Sequence, residues 1–376
     1  MLKAMTAAVL IGAALLQGCA VQRPLSAPTA IENEVYLDTS WRRGVDGRAG
    51  EASERFNLVA QDEKLYFVTE HGSVYGLQQE TGRRVDYIQT DFEPSAGVTV
   101  KDGTAYFGTY DAQLVAVSLE QKSVLWEKTL TSEILAEPAV ANGRIAVQTG
   151  DGWLSVIDAQ SANTLWRDKE DLPALTVRGT SAPVIVGNTL IAGFANGTVN
   201  AYNLVDGTKL WSFEVGKAEG RYEIERLTDV NGRLVVRDGM VYAVAYNGTL
   251  SAINLTTGRA VWQRNIPSGV GVALENDVLI AVEQDSTVHA LNAKNGEVIW
   301  QNEELVGREL ISPTYFRDYV AVVDRSGYVH LLDRDTGKVK AWFLADTVAP
   351  VGSRMVSNGQ QLFILTPDSK ITALSY

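Results

Sequence analysis

The sequence predicts an all-β protein, an eight-bladed β-propeller of four-stranded antiparallel blades, closed by an N-terminal strand that joins the C-terminal blade. Three observations carry this expectation: a tandem unit of roughly 40 to 50 residues, two turns at a fixed separation inside each unit, and a tryptophan at a fixed distance after the second turn.

One copy displays the unit. The apolar run Val241 to Tyr246 ends in the turn Asn247-Gly248, Thr249 to Leu255 runs back, Thr257-Gly258 turns again, and Arg259 to Trp262 begins another strand. Two hairpins therefore lie side by side. The first-turn position recurs at Gly72, Ala112, Gly152, Gly197, Gly248, Ser286, Gly327 and Ser369, at spacings of 40, 40, 45, 51, 38, 41 and 42 residues. The second turn follows ten residues later at Gly82, Lys122, Ala162, Gly207, Gly258, Gly296 and Gly337, so the strand between has one length.

Four residues beyond the second turn stand Trp126, Trp166, Trp211, Trp262 and Trp300. The seventh copy displaces its indole by one, to Trp342, and the first has Asp86-Tyr87 instead. A flat side chain at one place per unit suits a wedge that packs each blade against its neighbour.

An earlier strand precedes each pair, as in Ala182 to Val186 or Gly232 to Arg237, which makes four strands per copy. Runs such as Leu190 to Phe194 are apolar on both faces, so each sheet needs cover on both sides, which radial stacking supplies. The eighth copy reaches Tyr376 directly after its third strand. Val35 to Trp41 has strand character, precedes the first copy and can supply the missing outer strand, which removes an exposed sheet edge. Residues 35–376 thus form one domain, where length alone would suggest two.

The N-terminus holds Lys3, an apolar run from Ala7 to Leu16, and Leu16-Gln17-Gly18-Cys19. That run is too short for a membrane span, which needs about 20 apolar residues. It reads as a secretory signal over residues 1–18. Cys19, the only cysteine, stands where a lipoprotein signal places its acceptor thiol; the alternative is a chance cysteine ending an ordinary signal. Attachment through acyl chains would make the anchor lipid rather than protein. Residues 19–34, with Pro24, Ser26, Pro28 and Thr29, are expected to form a flexible tether. Ala20 and Val21, rather than Asp, follow the cysteine, as in lipoproteins sorted to the outer membrane.

The formal net charge is −12, or −13 once Lys3 leaves with the signal, and no run of basic residues is present. Nucleic acid is therefore an unsuitable partner. The three histidines, His71, His289 and His330, have no metal-ligand spacing. His289 and His330 occupy equivalent places three residues after a first turn, where other copies hold Ser155, Asn200 and Ser251, which identifies a polar strand position.

The distance from the position four residues past the second turn to the next first turn is 26, 26, 31, 37, 24, 27 and 28 residues in chain order. The third and fourth connections are long. In a propeller they are neighbours on one face, where long loops on a rigid scaffold make binding surfaces. They carry Leu172, Leu175, Val177 and Arg178, then Arg221, Tyr222, Glu223, Ile224, Glu225, Arg226, Leu227 and Asp229. Apolar anchors with an arginine inside a polar rim are interface-like; two loops packing on their own blades are the alternative. Arg178 could donate paired hydrogen bonds to a partner, or bond internally to Asp229.

Ala252-x-Asn254-x-x-Thr257-Gly258-x-x-x-Trp262 resembles the tryptophan-docking motif of the pyrroloquinoline quinone propeller repeat, as do Ala201 to Trp211, Ala290 to Trp300 and, more loosely, Ala116 to Trp126. Within that superfamily, the lipoprotein signal, the length and the bare eight-blade design resemble the BamB family, lipoprotein subunits of the outer-membrane β-barrel assembly machinery. Leu172 to Pro183 and Glu223 to Val230 are similar to that family's segments after the third and fourth blades.

The resemblance implies a non-enzymatic scaffold without cofactor, attached to the periplasmic face of the outer membrane. It implies contact with the polypeptide-transport-associated (POTRA) domains of the barrel-forming subunit through Leu175, Val177, Arg178, Asp229 and Asn231, and unfolded outer-membrane proteins as clients. Val177 replaces a leucine and Asn231 an aspartate of the family pattern, which puts one charged contact in question. A quinoprotein dehydrogenase is the rival of a different class. Such enzymes resemble this chain in fold but commonly hold an adjacent cysteine pair against the quinone, and this chain has one cysteine. A propeller binding a small ligand or peptidoglycan in its channel is the third reading.

Overall fold

The computed structural model describes residues 26–45, 55–177, 179–311, 313–345, 355–366 and 370–376. Within them lie eight four-stranded antiparallel sheets. Seven are consecutive in the chain: blade 1 over 59–89, blade 2 over 94–129, blade 3 over 139–169, blade 4 over 184–214, blade 5 over 235–264, blade 6 over 273–302 and blade 7 over 314–344. Blade 8 combines Val356–Ser357, Leu362–Leu365 and Lys370–Ser375 with the N-terminal strand Asp38–Gly44. Its innermost strand, Val356–Ser357, touches the innermost strands of blades 1 and 7, which closes the ring. The expected architecture is the observed one; the eighth first turn, around Ser369, falls outside the described residues.

The core lies between blades. Strands two and three of each sheet are buried on both faces, as at Val241 to Val244 and Leu250 to Ile253. Side chains of adjacent blades pack into common clusters, for example Tyr242 and Leu250 of blade 5 with Leu279 and Leu291 of blade 6. No blade could bury both faces alone.

The tryptophans form the joints. Trp126, Trp166, Trp211, Trp262 and Trp300 each donate their indole N–H to a backbone carbonyl of the following blade, those of Ala159, Leu204, Leu255, Ala293 and Arg334, at 2.8 to 3.1 Å. The indole also covers the second turn of that blade. Gly207, Gly258, Gly296 and Gly337 adopt left-handed φ values of 66° to 77°, and a Cβ on any of them would stand 2.3 to 2.7 Å from an indole atom. Glycine serves there for both backbone and space.

A bulge aims each indole. In blade 3, Val156 pairs with Trp166 but Ile157 pairs with Thr164, which leaves Leu165 unpaired. Every blade repeats this one-residue shift beside its outer strand, and it exposes Leu125, Leu165, Leu210, Val261 and Ile299 at the ring's outer edge. Such a bulge re-aims the side chain beside it.

The N-terminal strand reproduces the same device. Its ladder skips Ser40, setting Trp41 opposite Ala373, and the Trp41 indole donates to Gln79 O at 2.7 Å while covering Gly82 of blade 1. The joint that closes the ring is therefore built like the others. The strand begins later than the expected Val35, at Asp38, because Val35 and Leu37 pack instead into the cluster between blades 7 and 8. Before it, the described part of the expected tether, residues 26–34, lies against blade 7. There Asn33 accepts from the Trp342 amide and donates to its carbonyl, and Glu34 N–H donates to Lys340 O.

Two joints depart from the rule. Between blades 1 and 2 the tryptophan position holds Asp86, which pairs with Lys64 at 3.0 Å and sits against Gly76. Between blades 7 and 8 it holds Ala341, because the turn an indole would cover is absent where the chain's two ends meet. Trp342 points elsewhere, and its indole N–H is buried without a partner among the described residues.

These contrasts give an expected outcome. Trp300→Phe removes a made hydrogen bond and should cost about 1 kcal/mol, whereas Trp342→Phe removes an unmade one and should be neutral or stabilising. Trp262→Ala, which also empties the joint, should cost about 3–5 kcal/mol. Thermal melts of the three variants check the order.

Candidate functional site

The antiparallel order places first turns and interblade connections at one face of the ring, and second turns at the other. The tryptophan joints occupy the second-turn face, which leaves the first face free to vary. On it, the connection from blade 3 to blade 4 meets that from blade 4 to blade 5. Asn231 Nδ2 donates to Val177 O at 3.2 Å, and Ser181 Oγ to Gly232 O at 3.1 Å. The two long loops are one surface.

The second loop is shaped by a 3₁₀ turn, Glu223–Arg226. The Glu225 carboxylate accepts from the amides of Arg221 and Tyr222 at 2.7 and 3.2 Å, Arg226 Nε donates to Gly220 O, and Asn247 Nδ2 donates to Ile224 O. Leu227 and Val230 are buried and root the loop. Tyr222 and Ile224 are thereby held outward, 68% and 64% exposed, with Leu172 and Leu175 exposed on the adjoining loop. Large apolar groups kept in water on ordered backbone mark an interaction surface.

The expected contact residues divide by position. Leu175 lies on the surface, while Val177 and Asn231 are half-buried where the loops meet. Asp229 is interior, 1% exposed, and neither carboxylate oxygen has a hydrogen-bond partner among the described residues. Burial pushes its carboxyl up to about 6, against the opposing pull of the nearby Val177 and Asp229 amides. Arg178 lies outside the described residues, as does Cys19.

Beside the loops is a cleft of about 310 Å³ between blades 3 and 4, lined by Leu135, Gln148, Trp153, Leu172, Thr180 and Phe194 among others. Trp153 stands directly after the first turn of blade 3, with the Arg167 guanidinium 4.3 Å and the Lys169 ammonium 5.5 Å from its ring centre. Sequence reasoning passes over this residue. The signal that could find it is its departure from most of the repeat, since the same place holds Ser73, Gln113, Thr198, Thr249 and Thr287 in five other copies and an aromatic, Tyr328, in the seventh.

The two equivalent histidines pair with acids six residues earlier, His289 with Glu283 at 2.9 Å and His330 with Asp324 at 3.1 Å. Among the described residues no three His, Cys, Asp or Glu side chains converge as metal ligands. The single cysteine stands before the propeller, so the propeller has no adjacent cysteine pair of the kind the dehydrogenase reading expects. Among those residues no helix is long and apolar enough to cross a membrane.

Fold and site together define an eight-bladed propeller of pyrroloquinoline-quinone-type repeats with an apolar surface built from two adjoining loops. The family model described as outer membrane protein assembly factor BamB matches residues 71–302, and the chain belongs to that family. A Yersinia pestis protein of the same name is 28% identical, covering 94% of this chain and 94% of its own length. One from Aliivibrio fischeri is 33% identical, covering 87% and 86%. The crystal structure of BamB from Moraxella catarrhalis has a TM-score of 0.81 at 25% identity, covering 91% of this chain and all of that one. A quinohemoprotein alcohol dehydrogenase from Pseudomonas putida HK5 has a TM-score of 0.70 at 12% identity, covering 90% of this chain and 76% of that one, a likeness of fold alone.

The buried carboxyl at Asp229 yields a pH dependence. Its native pKa of about 6 lies above the ordinary 3.9 of an unfolded chain, so the folded state holds the proton longer and its stability falls as pH rises between those values. The penalty is complete above pH 6. Asp229→Asn should therefore stabilise by on the order of 2 kcal/mol at neutral pH and have little effect near pH 4; denaturant melts at the two pH values check this.

Proposed function

We propose that this protein is a non-enzymatic scaffold subunit of the machinery that assembles outer-membrane β-barrel proteins. The full-length similarity to proteins named outer membrane protein assembly factor supports this over the dehydrogenase reading. The observation that carries the mechanism is the ordered apolar surface of Leu172, Leu175, Tyr222 and Ile224 on two mutually bonded loops.

In this reading the POTRA domains of the barrel-forming subunit dock on that surface. Leu175 and Tyr222 enter the partner's apolar positions, and Arg178 supplies a directional bond at their margin. Val177 and Asn231 act from beneath by holding the loops in register. Asp229 acts from the interior, beneath the place where the two loops meet. Acylation of Cys19 retains the propeller on the periplasmic face of the outer membrane, residues 1–18 being removed as the signal. Unfolded barrel proteins are the clients of the assembled complex.

Leu175→Glu combined with Arg178→Glu should abolish co-purification with the barrel-forming subunit while leaving the melting temperature near that of the unaltered protein. Undiminished co-purification would contradict the assigned contact. Quinone absorbance in the purified protein would restore the dehydrogenase reading.

A further inference from the structure

Residues 26–34 are bound to the propeller at both ends. At the N-terminal end, the Arg308 guanidinium donates twice to Ser26 O at 3.2 Å. Arg308 is itself fixed by Asp324, a fully buried carboxylate that also bonds His330. At the other end, Asn33 makes its two bonds to the Trp342 backbone, Glu34 N–H bonds Lys340 O, and the Glu34 carboxylate pairs with Lys340 at 2.7 Å. Between these points Pro28, Thr29 and Ile31 line a cleft with Leu305, Val306 and Trp342.

The segment therefore crosses the outer edge of blade 7 from one face to the other. Glu34 lies near the second-turn end, and Ser26 lies beside Arg308 in the connection between blades 6 and 7. That connection shares a face with the two long loops. In the ring it lies two blades on from the second long loop and three from the first.

We infer that this segment is a strap that fixes where the lipid anchor leaves the propeller: at the edge of blade 7, on the face of the long loops and two to three blades round the ring from them, so that this edge is held against the membrane surface. The inference rests on acylation of Cys19. Ser26 stands seven positions after Cys19, a reach of at most about 25 Å at roughly 3.3–3.6 Å per residue. Were the strap released as far as Leu37, anchor and fold would be 18 positions apart, a reach of about 60 Å. A bound strap sets the orientation, and a free one would leave the propeller to tumble.

Energy transfer from a donor on the propeller to acceptor-labelled lipid in vesicles reads this directly. The donor is placed through a clickable amino acid at Glu303, exposed on the long-loop face beside Arg308, or at Asp335, exposed at the second turn of blade 7. The acylated full-length protein should show clearly stronger transfer from position 303 than from 335. Arg308→Gln combined with Asn33→Ala should remove the difference. A flexible Gly/Ser insertion between Ala20 and Ser26, which leaves every strap contact in place, should do the same if the altered propeller folds poorly. Equal transfer from both positions in the unaltered protein would overturn the inference. If cells leave Cys19 unacylated, the anchor reading fails separately. Coupling that thiol, the only one in the chain, to a maleimide lipid then gives the same comparison: stronger transfer from 303 supports the strap and equal transfer overturns it.

Discussion

The structure depends on one joint repeated around a ring: an indole from the outer strand of one blade lies on the left-handed turn of the next and donates its N–H to a carbonyl at that turn. The joint couples a hydrophobic contact to a hydrogen bond that only one geometry satisfies, so it fixes both separation and rotation between sheets. It also accounts for the invariant spacings. The ten residues between turns set the length of the third strand, and the bulge four residues later turns the indole toward its neighbour. A residue inserted in either interval would move the indole off its turn.

Because those joints lie at the second-turn face, constraint falls on one side of the ring and freedom on the other. Extra residues collect in the connections on the free face, where 31 and 37 residues separate repeat positions that are elsewhere 24 to 28 apart. The long loops are not loose. They are rooted by Leu227 and Val230, tied together through Asn231 and Ser181, and shaped by the Glu225 carboxylate. Rigidity in the scaffold lets Tyr222 and Ile224 remain outside, already ordered, so a partner need not supply the cost of ordering them. The buried Asp229 beneath works against stability, as groups retained at binding surfaces often do.

Much of this is legible in the sequence because it is periodic. Repeated Gly and Trp positions reveal a joint even before its partner is known, and the missing outer strand of blade 8 points to the N-terminus. The role of Trp41 is harder to read, since Ser40 is skipped in its ladder and no second turn precedes it to set the count. That strand begins three residues later than its apolar pattern suggests, because Val35 and Leu37 are apolar for interblade packing rather than for pairing. Burial at the site is not legible at all. Leu172 and Leu227, or Asp229 and Glu225, are alike in a sequence, and only the path of the loops decides which is rooted inside and which meets water.

Photocrosslinking in intact cells tests the central claim that the paired long loops are the working surface of the closed ring. A photoreactive amino acid at Tyr222, on that surface, is compared with one at Val261, equally apolar and 53% exposed at the outer edge of blade 5. The account expects an adduct with the barrel-forming subunit from position 222 and none from 261. Adducts from 261 alone would contradict it.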